Sequence, residues 1–181
     1  MPNWITNRLT IKADNETLER IINEVKTDKQ SLDFEKIIPM PENIFRGNLG
    51  TEERKLYGRN NWYDWSCDNW GTKWNACNNE YDAEIFNGTL VYDFETAWSA
   101  PYPIVQKISE KYKCACVLEY YDEDFGYNCG RYECTSGTVV KDVCFNGGDE
   151  ALEWIAETFG SDTMDSFGCE LKDGKWQYRE D

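Results

Sequence analysis

The sequence predicts an α+β domain in which two helices pack on one face of a mainly antiparallel sheet, on the split βαβ plan. Three observations carry this. Two segments space apolar residues as one face of a helix, Leu18, Ile21, Ile22 and Val25 in the first, Ile104, Val105, Ile108 and Tyr112 in the second. Around them run segments that alternate with period two, such as Ile5, Leu9 and Ile11, or Leu90, Tyr92, Phe94, Thr96 and Trp98. Asn87-Gly88, Asp124-Phe125-Gly126, Ser136-Gly137 and Asp173-Gly174 supply the reversals between strands.

Taken in order, the first strand runs over 4–12, with Thr6, Arg8, Thr10 and Lys12 on its polar side. A helix over 15–27 follows, with Asp14 or Asn15 as its cap. The stretch "SLDFEKIIPMPENI" reads as an ordered loop with apolar anchors. Residues 43–80 have no clean period beyond a short helix over 52–57 and read as a Trp-rich insertion. The sheet resumes from Asp82, with a strand over 89–98. Pro101 and Pro103 open a second helix over 101–113. Strands over 114–121, 127–135 and 138–145 complete the sheet. An acidic helix over 149–159 buries Leu152, Ile155 and Phe159, and a last strand over 169–178 turns at Asp173. Without repeats or low-complexity linkers, residues 1–181 read as one domain, with an acidic extension over 146–181.

The chain has 19 basic and 34 acidic residues and a net charge of −15. Residues 1–60 carry ten acids and ten bases, whereas 149–181 carry ten acids against three bases. A field of that sign repels phosphate backbones and suits a basic protein partner, so direct nucleic-acid binding is not expected. Acidity also confers solubility with no partner at all. No apolar run approaches the roughly twenty residues of a bilayer span. The opening "MPNWITNRLTIKADNE" has no basic region followed by an apolar stretch, so no signal peptide is read and a cytoplasmic location is expected. The eight cysteines then read as buried thiols rather than disulfides.

Catalytic chemistry is sparse. The chain has no histidine, which removes Ser-His-Asp and Cys-His nucleophile activation, and it has neither a P-loop nor a GxGxxG turn. An enzyme is not expected, nor is a cofactor. Cys114 and Cys116 share a strand face, Cys129 and Cys134 point to opposite faces, and the other thiols are scattered, without the close pairs of a zinc site. The cluster "EYYDEDFGY" brings Glu119, Asp122, Glu123 and Asp124 together. It reads as a solvated hairpin tip, as a cation or acid–base site, or as a surface that engages arginine beside Tyr120, Tyr121 and Tyr127. In "NWYDWSCDNWGTKWNAC", Trp70 and Trp74 are expected as framework with Trp98, and Trp62 and Trp65 as an exposed contact surface.

Five segments, "MPNWITNRLTI", "FEKIIPMPE", "NWGTKWNA", "FETAWSAPYPIVQKISEKY" and "FGYNCGRY", occur in this order over residues 1–145. Together they resemble the YubB-type ferredoxin-like proteins of bacteriophages and conjugative plasmids; the position after Trp4, often cysteine there, is Ile5. The resemblance implies a ferredoxin-like fold without an iron–sulphur cluster and a mobile-element origin, and it implies no activity. The leading expectation is an interaction protein that blocks a host defence factor, such as a nuclease, through its basic groove. Glu119, Asp122, Glu123 and Asp124 would contact that partner together with Asp149, Glu150, Glu153 and Glu157 of the acidic helix. The alternative is a small-molecule or nucleotide binder that stacks its ligand on the Trp-rich insertion; the acid surplus counts against a phosphorylated ligand unless Arg46, Arg54, Lys55, Arg59 and Lys73 gather near the pocket. An enzyme using carboxylates and a metal ranks last.

Overall fold

The structure, a computed structural model, describes residues 2–79 and 83–179. Asp82, where the sequence resumes the sheet, lies outside the described residues, as do the last two residues of the acidic extension. Six strands, β1 (Trp4–Lys12), β2 (Ile85–Phe86), β3 (Thr89–Ala97), β4 (Ala115–Asp122), β5 (Cys129–Thr135) and β6 (Thr138–Phe145), form one antiparallel sheet. Its order is β2-β3-β1-β4-β5-β6, so the first strand of the chain lies between β3 and β4. At the far edge β5 and β6 approach so closely that a Cβ on Gly130 would stand 2.0 Å from the Val143 carbonyl oxygen. No other residue type fits there without displacing β6.

The helices α1 (Asn15–Val25) and α5 (Tyr102–Tyr112) cover one face. Asp14 rather than Asn15 caps α1, its Oδ1 accepting from the Thr17 amide at 2.9 Å. Leu18, Ile21 and Val25 of α1 and Ile104, Val105 and Ile108 of α5 are fully buried against Ile5, Leu9, Ile11, Leu90 and Leu118. Each such side chain contributes about 1.5–3 kcal/mol by leaving water. The polar member of the β1 stripe, Asn7, is reconciled with this core by donating to Thr96 Oγ1 at 2.9 Å and to the Ile5 carbonyl at 2.8 Å.

The other face is partly covered, which the sequence did not anticipate. The helices α6 (Asp149–Phe159) and α7 (Ser161–Ser166) and the hairpin β7 (Cys169–Lys172)–β8 (Lys175–Tyr178) close a second core. Phe125, Cys129, Leu152, Ile155 and Met164 are buried in it, with Tyr121 and Phe145 packed alongside. The parity of β5 links the two cores, with Cys134 facing the first and Cys129 the second.

Local departures from the sequence reading have simple causes. α1 stops at Val25, where Thr27 to Gln30 close a turn. Within the loops, α2 (Phe34–Ile37) and α4 (Trp62–Asn69) form, alongside the expected α3 (Thr51–Tyr57). Trp98 does not continue the β3 face, because its φ of +74° turns the chain away after Ala97. Among the described residues no helix is long and apolar enough to cross a membrane.

Candidate interaction surface

The acidic residues separate into structural and free groups. Glu119 is not free, since Arg131 Nη1 reaches its Oε1 at 2.6 Å while Arg131 Nε binds Glu133 at 2.6 Å. Asp122 is 6% exposed and is no part of a solvated tip. Its carboxylate accepts from Asn3 Nδ2 at 3.2 Å, Asn128 Nδ2 at 2.9 Å and the Asp124 amide at 2.9 Å, tying the starts of β1 and β5 to the turn. Glu123 and Asp124 are exposed on that turn. The turn lies against α6, where a Cβ on Gly126 would meet Leu152 and the Tyr178 hydroxyl at 3.3 Å.

On α6, Asp149 pairs with Lys175 at 2.9 Å. Glu150, Glu153 and Glu157 are exposed and have no ion-pair partner among the described residues. Their i, i+3, i+7 spacing makes one stripe, opposite the buried Ala151, Leu152 and Ile155.

The tryptophans divide differently from the expectation. Asn61 caps α4, its Oδ1 accepting from the Tyr63 and Asp64 amides at 3.1 and 3.0 Å. That start turns Trp62 and Trp65 inward, where both are half-buried against the first core rather than forming an exposed surface. Trp62 donates its indole N–H to the Gly47 carbonyl at 3.0 Å, and Trp65 meets the ring of Trp70 edge-on at 5.4 Å. Trp70 is framework, 4% exposed and bonded to the Ile38 carbonyl at 2.8 Å. Trp98, expected beside it as framework, is 42% exposed. It forms an aromatic shelf with half-buried Trp74, and the Lys73 ammonium lies 4.4 Å from the Trp74 ring centre and 4.5 Å from that of Trp98.

The five insertion cations do not gather around a pocket. Arg46 pairs with Glu35, Lys55 with Glu52 and Arg59 with Asp68, while Arg54 stacks on Tyr63.

Beside the shelf opens a cleft of about 380 Å³ lined by Gly71, Ser99, Tyr102, Tyr120, Asn128 and Cys144 among others. The Tyr102 and Tyr120 hydroxyls share a hydrogen bond at 2.5 Å, and Tyr102 stacks on Tyr132 at 4.3 Å. Burial pushes the Tyr102 phenol up to about 12 and raises Tyr120 as well. Cys144 is an exposed thiol; Cys114 and Cys116 lie buried with their sulphurs 3.8 Å apart, and all eight cysteines carry free thiols. Among the described residues no three His, Cys, Asp or Glu side chains gather to hold a metal.

Sequence reasoning missed the cleft because its walls lie far apart in the chain. The available signal was that Gly71, the segment 99–103 and Asn128 belong to three of the recurrent motifs, and the fold brings those motifs together. Ser99 Oγ donates to the Gly71 carbonyl at 2.5 Å, and Asn128 reaches the Trp98 carbonyl at 3.3 Å.

Residues 69–164 match the family model described as the ferredoxin-like domain in Api92-like protein. The chain belongs to this family. The Api92-like segment takes in the cleft, the shelf and α6, and leaves out β1 and the β7–β8 hairpin. No curated protein and no solved structure matches the chain.

Proposed function

We propose that the protein is an acidic interaction module of a phage or conjugative plasmid, inhibiting a host defence factor by occupying its basic nucleic-acid-binding groove. The carrying observation is the unpaired stripe of Glu150, Glu153 and Glu157 on α6. Like charges at i, i+3 and i+4 destabilise a helix by about 0.2–0.5 kcal/mol per pair, so the stripe gains most when a basic surface lies against it. The net charge of −15 and the resemblance to YubB-type proteins support the same reading. It acts in the host cytoplasm, needs no catalytic step, and engages protein rather than nucleic acid.

The test takes a basic protein captured from a bacterial host and measures its binding across a salt series, with nucleic acid as competitor. Affinity should fall steeply with salt, since exposed charges are screened over about 10 Å at 0.1 M. The combined Glu150→Lys, Glu153→Lys and Glu157→Lys variant should lose about tenfold or more in affinity. A triple variant that binds like the parent at every salt concentration overturns the reading. Asp122 is left out of this variant because its reversal would break the turn.

The cleft between Tyr102 and Asn128 favours a second reading, in which the protein sequesters a nucleotide or another flat small molecule. Native mass spectrometry showing a bound nucleotide that is lost on Tyr102→Ala would favour it over the charge reading.

A further inference from the structure

Trp98 occupies the left-handed region, with φ +74°, a conformation that a bulky side chain adopts only when its surroundings impose it. Here the imposition is visible. The Trp98 amide donates to the Asn3 carbonyl at 2.9 Å, and Asn128 Nδ2 donates to the Trp98 carbonyl at 3.3 Å. The result is a part-exposed indole that shares the Lys73 ammonium with Trp74. Tyr63 meets Trp98 edge-on at 6.1 Å and Trp4 lies tilted against Trp74 at 5.8 Å, so each ring has an aromatic neighbour that holds it.

The occupant is unusual in having no carboxylate. Among the described residues Lys73 forms no ion pair, and its ammonium lies over the two rings. Two aromatic faces that reach one ammonium attract an organic cation through their ring quadrupoles, whether guanidinium or alkylammonium. Lys73 also has a place to go. Residue 73 is itself only half-buried, so a displaced ammonium returns to water.

We infer that the Trp74–Trp98 pair is a receptor for an arginine or lysine side chain of the basic partner, kept closed by Lys73 until that partner docks. The inference takes from the proposed function only that the partner is basic. The receptor supplies what a charge stripe lacks, a fixed point that sets register. Lys73 acts as a tethered competitor, whose effective concentration of millimolar or more hides the receptor from free cations.

The experiment uses no partner, so its failure would leave the acidic stripe untouched, and failure of the salt series would leave this receptor untouched. The full chain is titrated with tetramethylammonium chloride against sodium chloride at equal ionic strength, following the indole N–H signals by NMR. Trp70, buried and bonded to Ile38, serves as the internal control for folding. Lys73→Ala should bind the probe about tenfold or more tightly than the parent, the tethered competitor being gone. Lys73→Gln keeps a polar side chain, one atom shorter and without the charge, and should do the same. Adding Trp98→Ala to either should abolish the response. Equal responses of parent and Lys73 variants, or a response that survives loss of Trp98, overturn the inference.

Discussion

On the helix side of the sheet, Ile5, Leu9 and Leu118 meet α1 and α5 in a core that runs from β2 to β5, with its central side chains fully buried. On the other side, cover centres on the β4–β6 end, where Tyr121, Cys129 and Phe145 meet α6 and α7, and it reaches β1 only where Phe159 meets the Arg8 guanidinium. The first core is mainly aliphatic and ties segments from across the chain. The second leans on a few aromatic contacts, with Phe125 stacked on Phe167 at 4.2 Å and Tyr121 edge-on to Phe159 at 4.8 Å. The smaller core also supports the acidic stripe. A scaffold and a charged layer thus share the same strands, and regions with fewer buried contacts open at lower free energy.

The sharpest way to break that comparison is to delete the same kind of side chain from each core. Leu9 and Ile155 are both fully buried, and each substitution by alanine should cost about 2–5 kcal/mol of local stability. Leu9→Ala should lower the midpoint of global unfolding. Ile155→Ala should speed amide exchange in α6 while β1 and β4 stay protected. Equal loss of protection in β1 would show that the two faces unfold as one unit.

Asp122 sits where the two regions join. Asp122→Ala strands Asn3, Asn128 and the Asp124 amide and should cost about 1–3 kcal/mol in a urea melt. Glu123→Lys and Asp124→Lys, one and two residues further on, should each stay within about 0.5 kcal/mol of the parent. If Asp122→Ala melts like those two, its carboxylate does not join the regions.

A smaller effect than that of Asp122→Ala at neutral pH belongs to Tyr102→Phe, about 0.5–1.5 kcal/mol for one hydrogen bond. Its signature is pH-dependent. With a folded value of about 12 against about 10 when unfolded, Tyr102 holds its proton more tightly in the native state. The associated stability is complete below pH about 10 and is lost as pH rises through 12. Parent and variant melts measured from pH 8 to 11.5 should therefore converge as alkali is added. Parallel curves would mean that the cleft does not bury the phenol.

Elements that bury a single face over many residues were legible in the sequence. The β1 stripe, the α5 stripe and α6 from Asp149 to Phe159 each carry their period within one segment. α2 and α7, at four and six residues, are too short to show one. Asp122 looked solvated because its neighbours in sequence are acids, whereas its burial comes from Asn3 and Asn128, contacts that only the folded sheet creates. Trp98 shared the parity of β3, and the carbonyl of Asn3 decided instead where it points. The exposure of Glu150, Glu153 and Glu157 follows from the period of α6 alone, whereas the pairing of Asp149 with Lys175 is a contact that only the fold creates.

The place of β1 has a consequence for how the family's domain is delimited. The matched segment, residues 69–164, contains β3 and β4 but not the nine-residue strand that holds them together. A protein cut to those limits would keep a slot one strand wide, with hydrogen-bonding edges on both sides and Tyr92 and Leu118 facing a missing Leu9. The domain recognisable by sequence and the unit that folds are thus different objects here. The slot makes the fold a natural subject for complementation, in which a peptide bearing β1, supplied separately, restores the sheet by donating its strand.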